Sequence, residues 1–392
     1  MTQTASNRQA DTVLHEKFSA VRQYSTAICA PLKIEDYVVQ PAEYVSPPKW
    51  HLAHTTWFWE EFILSKYFTK YQRFHAAFSF LFNSYYESVG QRVPRSYRGN
   101  MTRPTVDEIV AYRKYVDEHM VQLMRNASEE VSDLITIGLN HEQQHQELLF
   151  TDIKYILGHN PLFPHYNSEF SENKKIHSDD TFVEMTGGLF KIGFEGEGFS
   201  FDNELGVHKV ALEDFAIRKS LVSNDEYLEF INDNGYQRPD LWLSDGWTWS
   251  KEHNINGPLY WHIIDGKLQR YSLAGMKELN LSEPVTHVSF YEANAFAAWK
   301  GMRLPTEFEW EAASDTFYWG ERWEHTNSAY LPYPRYKKPE GAVGEYNGKF
   351  MVNQMVLRGA SIVTPEGHSR KTYRNFFEPS SRWQFNGVRL CK

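Results

Sequence analysis

The first 158 residues read in helical periods. From about Ala10 to Ala30 the chain has few breakers. Pro47-Pro48 then suits the first turn of a second helix, because a proline there gives up only an N–H that would go unbonded anyway, and the apolar run through Trp50 to about Phe68 carries the helix on. Thr105 and Glu108 form a capping box ahead of a third apolar-periodic segment, Val106 to Met124. Ser128 caps a fourth, which stops at Gly158. Four helices of this length predict a bundle, with the long connection between the second and third crossing over it. Stepping by three and four along the fourth helix selects Val131, Leu134, Gly138, His141, His145, Leu148 and Asp152, so two histidines fall on the stripe that faces the bundle core.

After Gly158 the texture changes. Asn160-Pro161, Pro164 and a polar run from Asn167 to Asp180 predict a linker over 161–181. From Phe182 onward the apolar runs are short and Gly and Trp are frequent. Only Asn224 to Asn232 and Tyr291 to Trp299 stand out as helical. The predicted organisation is therefore α followed by mixed α/β: a helical bundle over 1–160 and a loop-rich domain over 182–392. No repeat of fixed period or low-complexity tract interrupts it.

The length of 392 residues agrees with two domains at roughly 100 to 200 residues each. Lys plus Arg number 41 against 50 Asp plus Glu, a formal charge of −9 with no long basic run, so no nucleic-acid partner is expected. Two cysteines, Cys29 and Cys391, make no multi-bridge framework, and the first residues lack an apolar signal core; a reducing cytoplasm is the expected setting. No stretch approaches the length of a transmembrane helix, so no membrane is expected as a partner. The outlier is the aromatic load of 12 Trp, 23 Tyr and 26 Phe, which suits apolar pockets with polar tips or a well-filled core.

Side chains four apart on a helix are neighbours, so His141 and His145 can share one metal ion, with Gly138 one turn earlier leaving room. Two adjacent buried imidazoles without a metal are hard to satisfy and costly to charge. A third ligand is expected from the second helix, where Trp50-His-Leu-Ala-His offers both His51 and His54. That helix is apolar almost all round; only a stripe shared with Trp50, Trp57 and Leu64 leans toward His54. His75, His119, His165 and His177 stand singly and read as surface or structural. Three neutral imidazoles with open positions suit Fe(II), Zn(II) or Cu(II) alike. The spelling His-Glu-Gln-Gln-His also satisfies the zinc-hydrolase pattern, with Glu142 as general base. Against that reading, the longer H-E-x-x-H-x-x-G-x-x-H form is absent and the second half is left without a task.

The segments Trp50-His-Leu-Ala-His-Thr-Thr-Trp-Phe-Trp-Glu and Gly138-Leu-Asn-His-Glu-Gln-Gln-His-Gln-Glu are followed by a distal half containing Leu357-Arg-Gly-Ala-Ser and His368-Ser-Arg-Lys-Thr-Tyr-Arg-Asn-Phe-Phe-Glu. In that order, over nearly the whole chain, they resemble the ergothioneine-biosynthesis sulfoxide synthases, or hercynine oxygenases. The resemblance implies an N-terminal DinB-like four-helix bundle and a C-type-lectin-like domain of the sulfatase-modifying-factor kind. It implies a mononuclear non-haem Fe(II) held by His54, His141 and His145. It further implies a reaction that uses O2 to join the sulfur of cysteine or γ-glutamylcysteine to C2 of the hercynine imidazole and oxidises that sulfur to a sulfoxide. A related group makes the selenium analogue from a selenosugar.

By the same resemblance Gln144 contacts the hercynine imidazole, and Asn375, Phe376 and Phe377 recognise its betaine, aromatic faces being attractive to a quaternary ammonium. Arg95 and Arg98 hold the carboxylate of the thiol substrate, a task that suits guanidinium forks. In one branch of the family a tyrosine near the iron donates a proton, and Ser84-Tyr85-Tyr86-Glu87 resembles that branch, leaving Tyr85 and Tyr86 as candidates; Tyr330, Tyr333 and Tyr336 are the fallback. The chain also departs from relatives. Formylglycine-generating enzymes use two cysteines in the distal domain where this chain has only Cys391, and Ala360 stands where Arg-Gly-Gly-Ser is commoner.

Overall fold

The computed structural model describes residues 2–173, 179–340, 344 and 347–392, with side chains from Thr12 onward; His177 and the middle of the polar run 167–180 lie outside the described residues. Two compact units divide between Tyr166 and Asn167, the second holding Asn167–Pro339 and Tyr346–Lys392.

Four long helices build the first unit: Thr2–Cys29, Pro48–Trp59, Val106–Met124 and Glu129–Gly158. Local chemistry sets their starts. The Thr105 hydroxyl accepts from the Glu108 N–H at 3.2 Å while the Glu108 carboxylate accepts from the Thr105 N–H at 2.6 Å. Ser128 Oγ accepts from the Val131 N–H at 3.3 Å, satisfying a donor the helix cannot. The second helix is buried along its whole length, packed by the first, third and fourth, which is why its sequence shows no polar face.

The second helix does not run evenly to Phe68. A π turn, Glu60–Leu64, interrupts it, and Ser65–Tyr67 adds one last turn. Buried Glu60 anchors the wide turn: Oε1 accepts from the Tyr71 hydroxyl at 2.6 Å and the Phe74 N–H at 3.0 Å, and Oε2 from the Tyr112 hydroxyl at 2.7 Å. Gly138 serves a different purpose from leaving space for a metal. A Cβ there would lie 2.6 Å from the Trp59 ring and 3.1 Å from Phe58, so the glycine lets the second and fourth helices close on each other.

The second unit is mixed α/β. Its helices at Asn224–Asn232 and Phe290–Trp299 match the apolar periods, each opened by a serine capping box. Two more, Ser244–Glu252 and Glu307–Ala313, are too mixed in composition to show in the pattern. Strands β1 (Trp323–Ala329), β2 (Met355–Gly359), β3 (Asn375–Phe377) and β4 (Asn386–Gly387) form one sheet in the order β3-β2-β1-β4. Two antiparallel pairs and a three-stranded sheet complete the described strands of the unit. Its centre holds charge: Arg358, Arg374 and Arg389 are almost fully buried, against Glu311, Glu307 and Glu324 respectively, each carboxylate neutralising a guanidinium that would otherwise be very costly to bury. The positive φ of the Gly359-Ala360 pair falls on Gly359, at 93°, so alanine at 360 strains nothing. Among the described residues no helix is long and apolar enough to cross a membrane.

Candidate metal centre

In the first unit the second and fourth helices bring His54, His141 and His145 together, with one nitrogen of each inside a mutual distance of 4.8 Å. All three are buried. His54 Nδ1 lies 2.7 Å from the Phe82 carbonyl, which can only accept, so Nδ1 carries the proton and Nε2 is left bare and unpartnered. Neither nitrogen of His141 has a partner. Burial pushes the His141 imidazole down to about 4 and holds His54 and His145 well below the ordinary histidine range, so all three present lone pairs near neutral pH without shedding a proton. Buried nitrogens with no acceptor or donor opposite them are costly unless something fills the gap, and a divalent ion does so. The set fits a metal bound by three imidazoles.

The ring of His54 is clamped. Trp50 stacks on one side at 4.6 Å and Trp57 on the other at 5.5 Å, near parallel at 9° and 17°. The Arg98 guanidinium lies 3.4 Å over the ring of Trp50. His51, the alternative on the same helix, turns elsewhere: its Nε2 sits 2.9 Å from Asp152 Oδ2 and its Nδ1 2.9 Å from Nδ1 of His145.

Glu142 is occupied. Oε1 accepts from Ser25 Oγ at 2.6 Å and Arg113 Nη2 at 3.1 Å; Oε2 accepts from Arg22 Nη1 and Trp59 Nε1, both at 2.9 Å. Arg22 and Arg113, with these hydrogen bonds, hold its carboxyl at about 2 against the opposing effect of burial. With both oxygens committed to Ser25, Arg113, Arg22 and Trp59, Glu142 is not free to act as general base for the histidine cluster, and the zinc-hydrolase reading loses its key residue. The spacing that puts residues 141 and 145 on one stripe turns residue 142 by about 100°.

The other candidates distribute as follows. Arg98 is buried, with Nη1 donating to Ser46 Oγ at 2.9 Å and Nη2 to Ser84 Oγ at 3.2 Å, and no carboxylate pairs with it among the described residues. Arg95 is exposed and donates to the Tyr44 carbonyl. Gln144 is half-buried on the fourth helix, one residue from His145. Tyr86 is buried, its ring 5.6 Å from Trp57 and 5.0 Å from Phe62, whereas Tyr85 is half-buried and contributes to the electrostatic surroundings of Arg98.

Asn375, Phe376 and Phe377 form β3 in the second unit. Asn375 Oδ1 accepts from the Phe376 N–H at 2.9 Å, Phe376 stacks on Tyr330 at 4.1 Å, and Phe377 meets Trp383 edge-on at 5.6 Å. Tyr333 and Tyr336 are committed to Glu307 and Asp202. His75 and His165 are exposed, and His119 packs among Phe68, Tyr71 and Tyr115. Sequence reasoning missed Arg22, Ser25 and Arg113. Their signal is a charged or polar residue on an apolar stripe, as in Phe18, Arg22, Ser25 and Cys29.

Residues 17–149 match the DinB superfamily and residues 166–321 the sulfatase-modifying factor enzyme 1-like domain. The chain is 33 % identical over 271 residues to the hercynine oxygenase of Mycolicibacterium smegmatis, covering 54 % of this chain and 61 % of that one. It is 29 % identical over 327 residues to the hercynine oxygenase of Mycolicibacterium thermoresistibile, covering 67 % of this chain and 70 % of that one. The formylglycine-generating enzyme of Streptomyces coelicolor matches a shorter stretch, 33 % identical over 153 residues, covering 34 % of this chain and 46 % of that enzyme. The fold and these matches define a DinB-like helical bundle joined to a mixed α/β sulfatase-modifying-factor domain. The chain is similar to hercynine oxygenases over 54 to 67 % of its length and spans 61 to 71 % of theirs. Burial pushes the thiol of Cys391, the one cysteine of its distal domain, up to about 12, far from a reactive thiolate.

Proposed function

We propose that the chain is an O2-dependent oxygenase of ergothioneine biosynthesis that couples the sulfur of cysteine or γ-glutamylcysteine to C2 of hercynine and oxidises it to the sulfoxide, using Fe(II) held by His54, His141 and His145. The observation that carries this reading is the convergence of three uncharged, buried imidazoles in a chain that is similar to a hercynine oxygenase over 67 % of its length. The reaction balances: the hydrogens of C2–H and S–H leave with one oxygen atom as water, and the other oxygen remains on sulfur. Fe(II), when held by His54, His141 and His145, would supply the activation of O2.

The chain's own residues supply the rest. Arg98, a buried guanidinium without a carboxylate, is the receptor for the thiol substrate's carboxylate, with Arg95 beside it at the surface. Gln144 is the residue of the ligand helix assigned to hercynine. Tyr85, half-buried near Arg98, is a better proton donor than Tyr86, whose ring is packed against Trp57 and Phe62. The protein acts in the cytoplasm, where thiol substrates stay reduced.

Tyr85→Phe keeps the ring and removes its transferable proton. It is expected to consume O2 and thiol while forming far less coupled sulfoxide, with hercynine affinity little changed; Tyr86→Phe keeps the parent product ratio. The test is anaerobic Fe(II) reconstitution followed by air, hercynine and, separately, cysteine, γ-glutamylcysteine or a selenosugar, with products read by mass spectrometry. No coupled product from any donor overturns the reading, and coupling to the selenosugar alone replaces the thiol with selenium.

A further inference from the structure

The Asp152, His51 and His145 chain has a direction. Asp152 Oδ2 accepts from the Ser46 N–H at 2.8 Å and faces His51 Nε2 at 2.9 Å, so the carboxylate draws the proton of a neutral His51 onto Nε2. Nδ1 of His51 is then a bare acceptor. Among the described residues the group in front of it is Nδ1 of His145 at 2.9 Å, and two bare nitrogens cannot make that contact, so His145 must carry its proton on Nδ1. That leaves Nε2 of His145 with its lone pair free. In water a neutral imidazole favours the opposite arrangement, with the proton on Nε2, which would block a metal at that atom.

We propose that His51 and Asp152 are positioning residues that hold His145 in the tautomer able to bind the metal, rather than ligands or core polar groups. This rests on the three-histidine metal centre proposed above. His54 reaches the same state by another route, donating Nδ1–H to the Phe82 carbonyl. His141 has no such partner and takes whichever tautomer the metal asks of it. The three ligands are thus fixed by a side-chain relay, a backbone carbonyl and nothing.

Two readouts that do not involve turnover separate the possibilities. In the full-length, metal-free protein labelled with 15N-histidine, long-range 1H–15N spectra should show His145 protonated at Nδ1; a wild-type His145 protonated at Nε2 overturns the proposal without any variant. His51→Phe keeps a ring and deletes the acceptor, so His145 should shift toward the Nε2–H form. Affinity for Co(II), measured by chelator competition and its visible absorption, should fall about 10- to 100-fold while the site still fills at high metal. Asp152→Asn, nearly isosteric and still able to accept, should fall by a smaller factor; it stands in should His51→Phe not fold. Unchanged affinity in both variants overturns the relay while leaving the metal centre intact. Complete loss of stoichiometric binding in His51→Phe makes His51 a ligand and also overturns it. Failure of the wild-type protein to take up one metal per chain overturns the three-histidine centre itself, and the proposal falls with it.

Discussion

His141→Ala is expected to strip the bundle of metal and leave it folded. The imidazole has no hydrogen-bond partner on either nitrogen, so no group is orphaned when it goes. What the bundle loses is ring packing against Phe58, stacked at 4.6 Å. What it gains is relief from two unsatisfied buried polar atoms, which cost about 1–3 kcal/mol each when left unmade. These effects oppose one another, so urea unfolding of the metal-free variant should lie within about 1–2 kcal/mol of the parent. Metal binding should weaken by more than the roughly 10- to 100-fold that follows from losing an outer-shell partner, because a ligand itself is removed. Full Fe(II) or Co(II) occupancy in His141→Ala, measured by elemental analysis after desalting, would remove His141 from the centre.

Glu142→Ala should do the reverse: it attacks the fold. Four donors lose their acceptor, and two of them are the guanidinium groups of Arg22 and Arg113, each about 5 % exposed or less. Breaking a buried pair from one side costs about 3–5 kcal/mol, and although Arg22 keeps Asp117 at 2.6 Å, Arg113 loses the carboxylate it pairs with. Against a total stability of about 5–15 kcal/mol that is a large share. A urea titration of the metal-free protein is the measurement, since loss of stability there cannot be ascribed to a missing ion. A zinc hydrolase with Glu142 as base would instead give a stable, folded, inactive variant.

How far these features are legible in the sequence depends on range. The Thr105 capping box and the Ser128 cap are contacts across three residues, so the starts of the third and fourth helices follow from spelling alone. The placement of His141 and His145 on one face follows from the helical period. The choice between His51 and His54 does not, because every residue of Pro48–Trp59 is buried and no polar face marks an orientation. It is decided by what lies opposite: the Phe82 carbonyl for one, Asp152 and His145 for the other, partners 28 to 101 residues away. The role of Glu142 is hidden for the same reason, its neighbours being Arg22 and Arg113 on two other helices. In the second unit, helices such as Glu307–Ala313 are about two turns long and carry five buried residues, glutamates included, because buried arginines stand ready to pair with them; a polar helix of that kind leaves no amphipathic trace.

The indole rings on either side of His54 give the protein an optical reporter of its own. Trp50 and Trp57 both stack on the imidazole, with ring centroids 4.6 and 5.5 Å away, so an open-shell ion bound by His54 would quench their fluorescence. The remaining tryptophans of the chain supply a steady background. Loading and stripping of the centre can therefore be followed in real time by the intrinsic emission, with a closed-shell ion such as Zn(II) separating occupancy from electronic state and without a label, a substrate or oxygen in the cuvette.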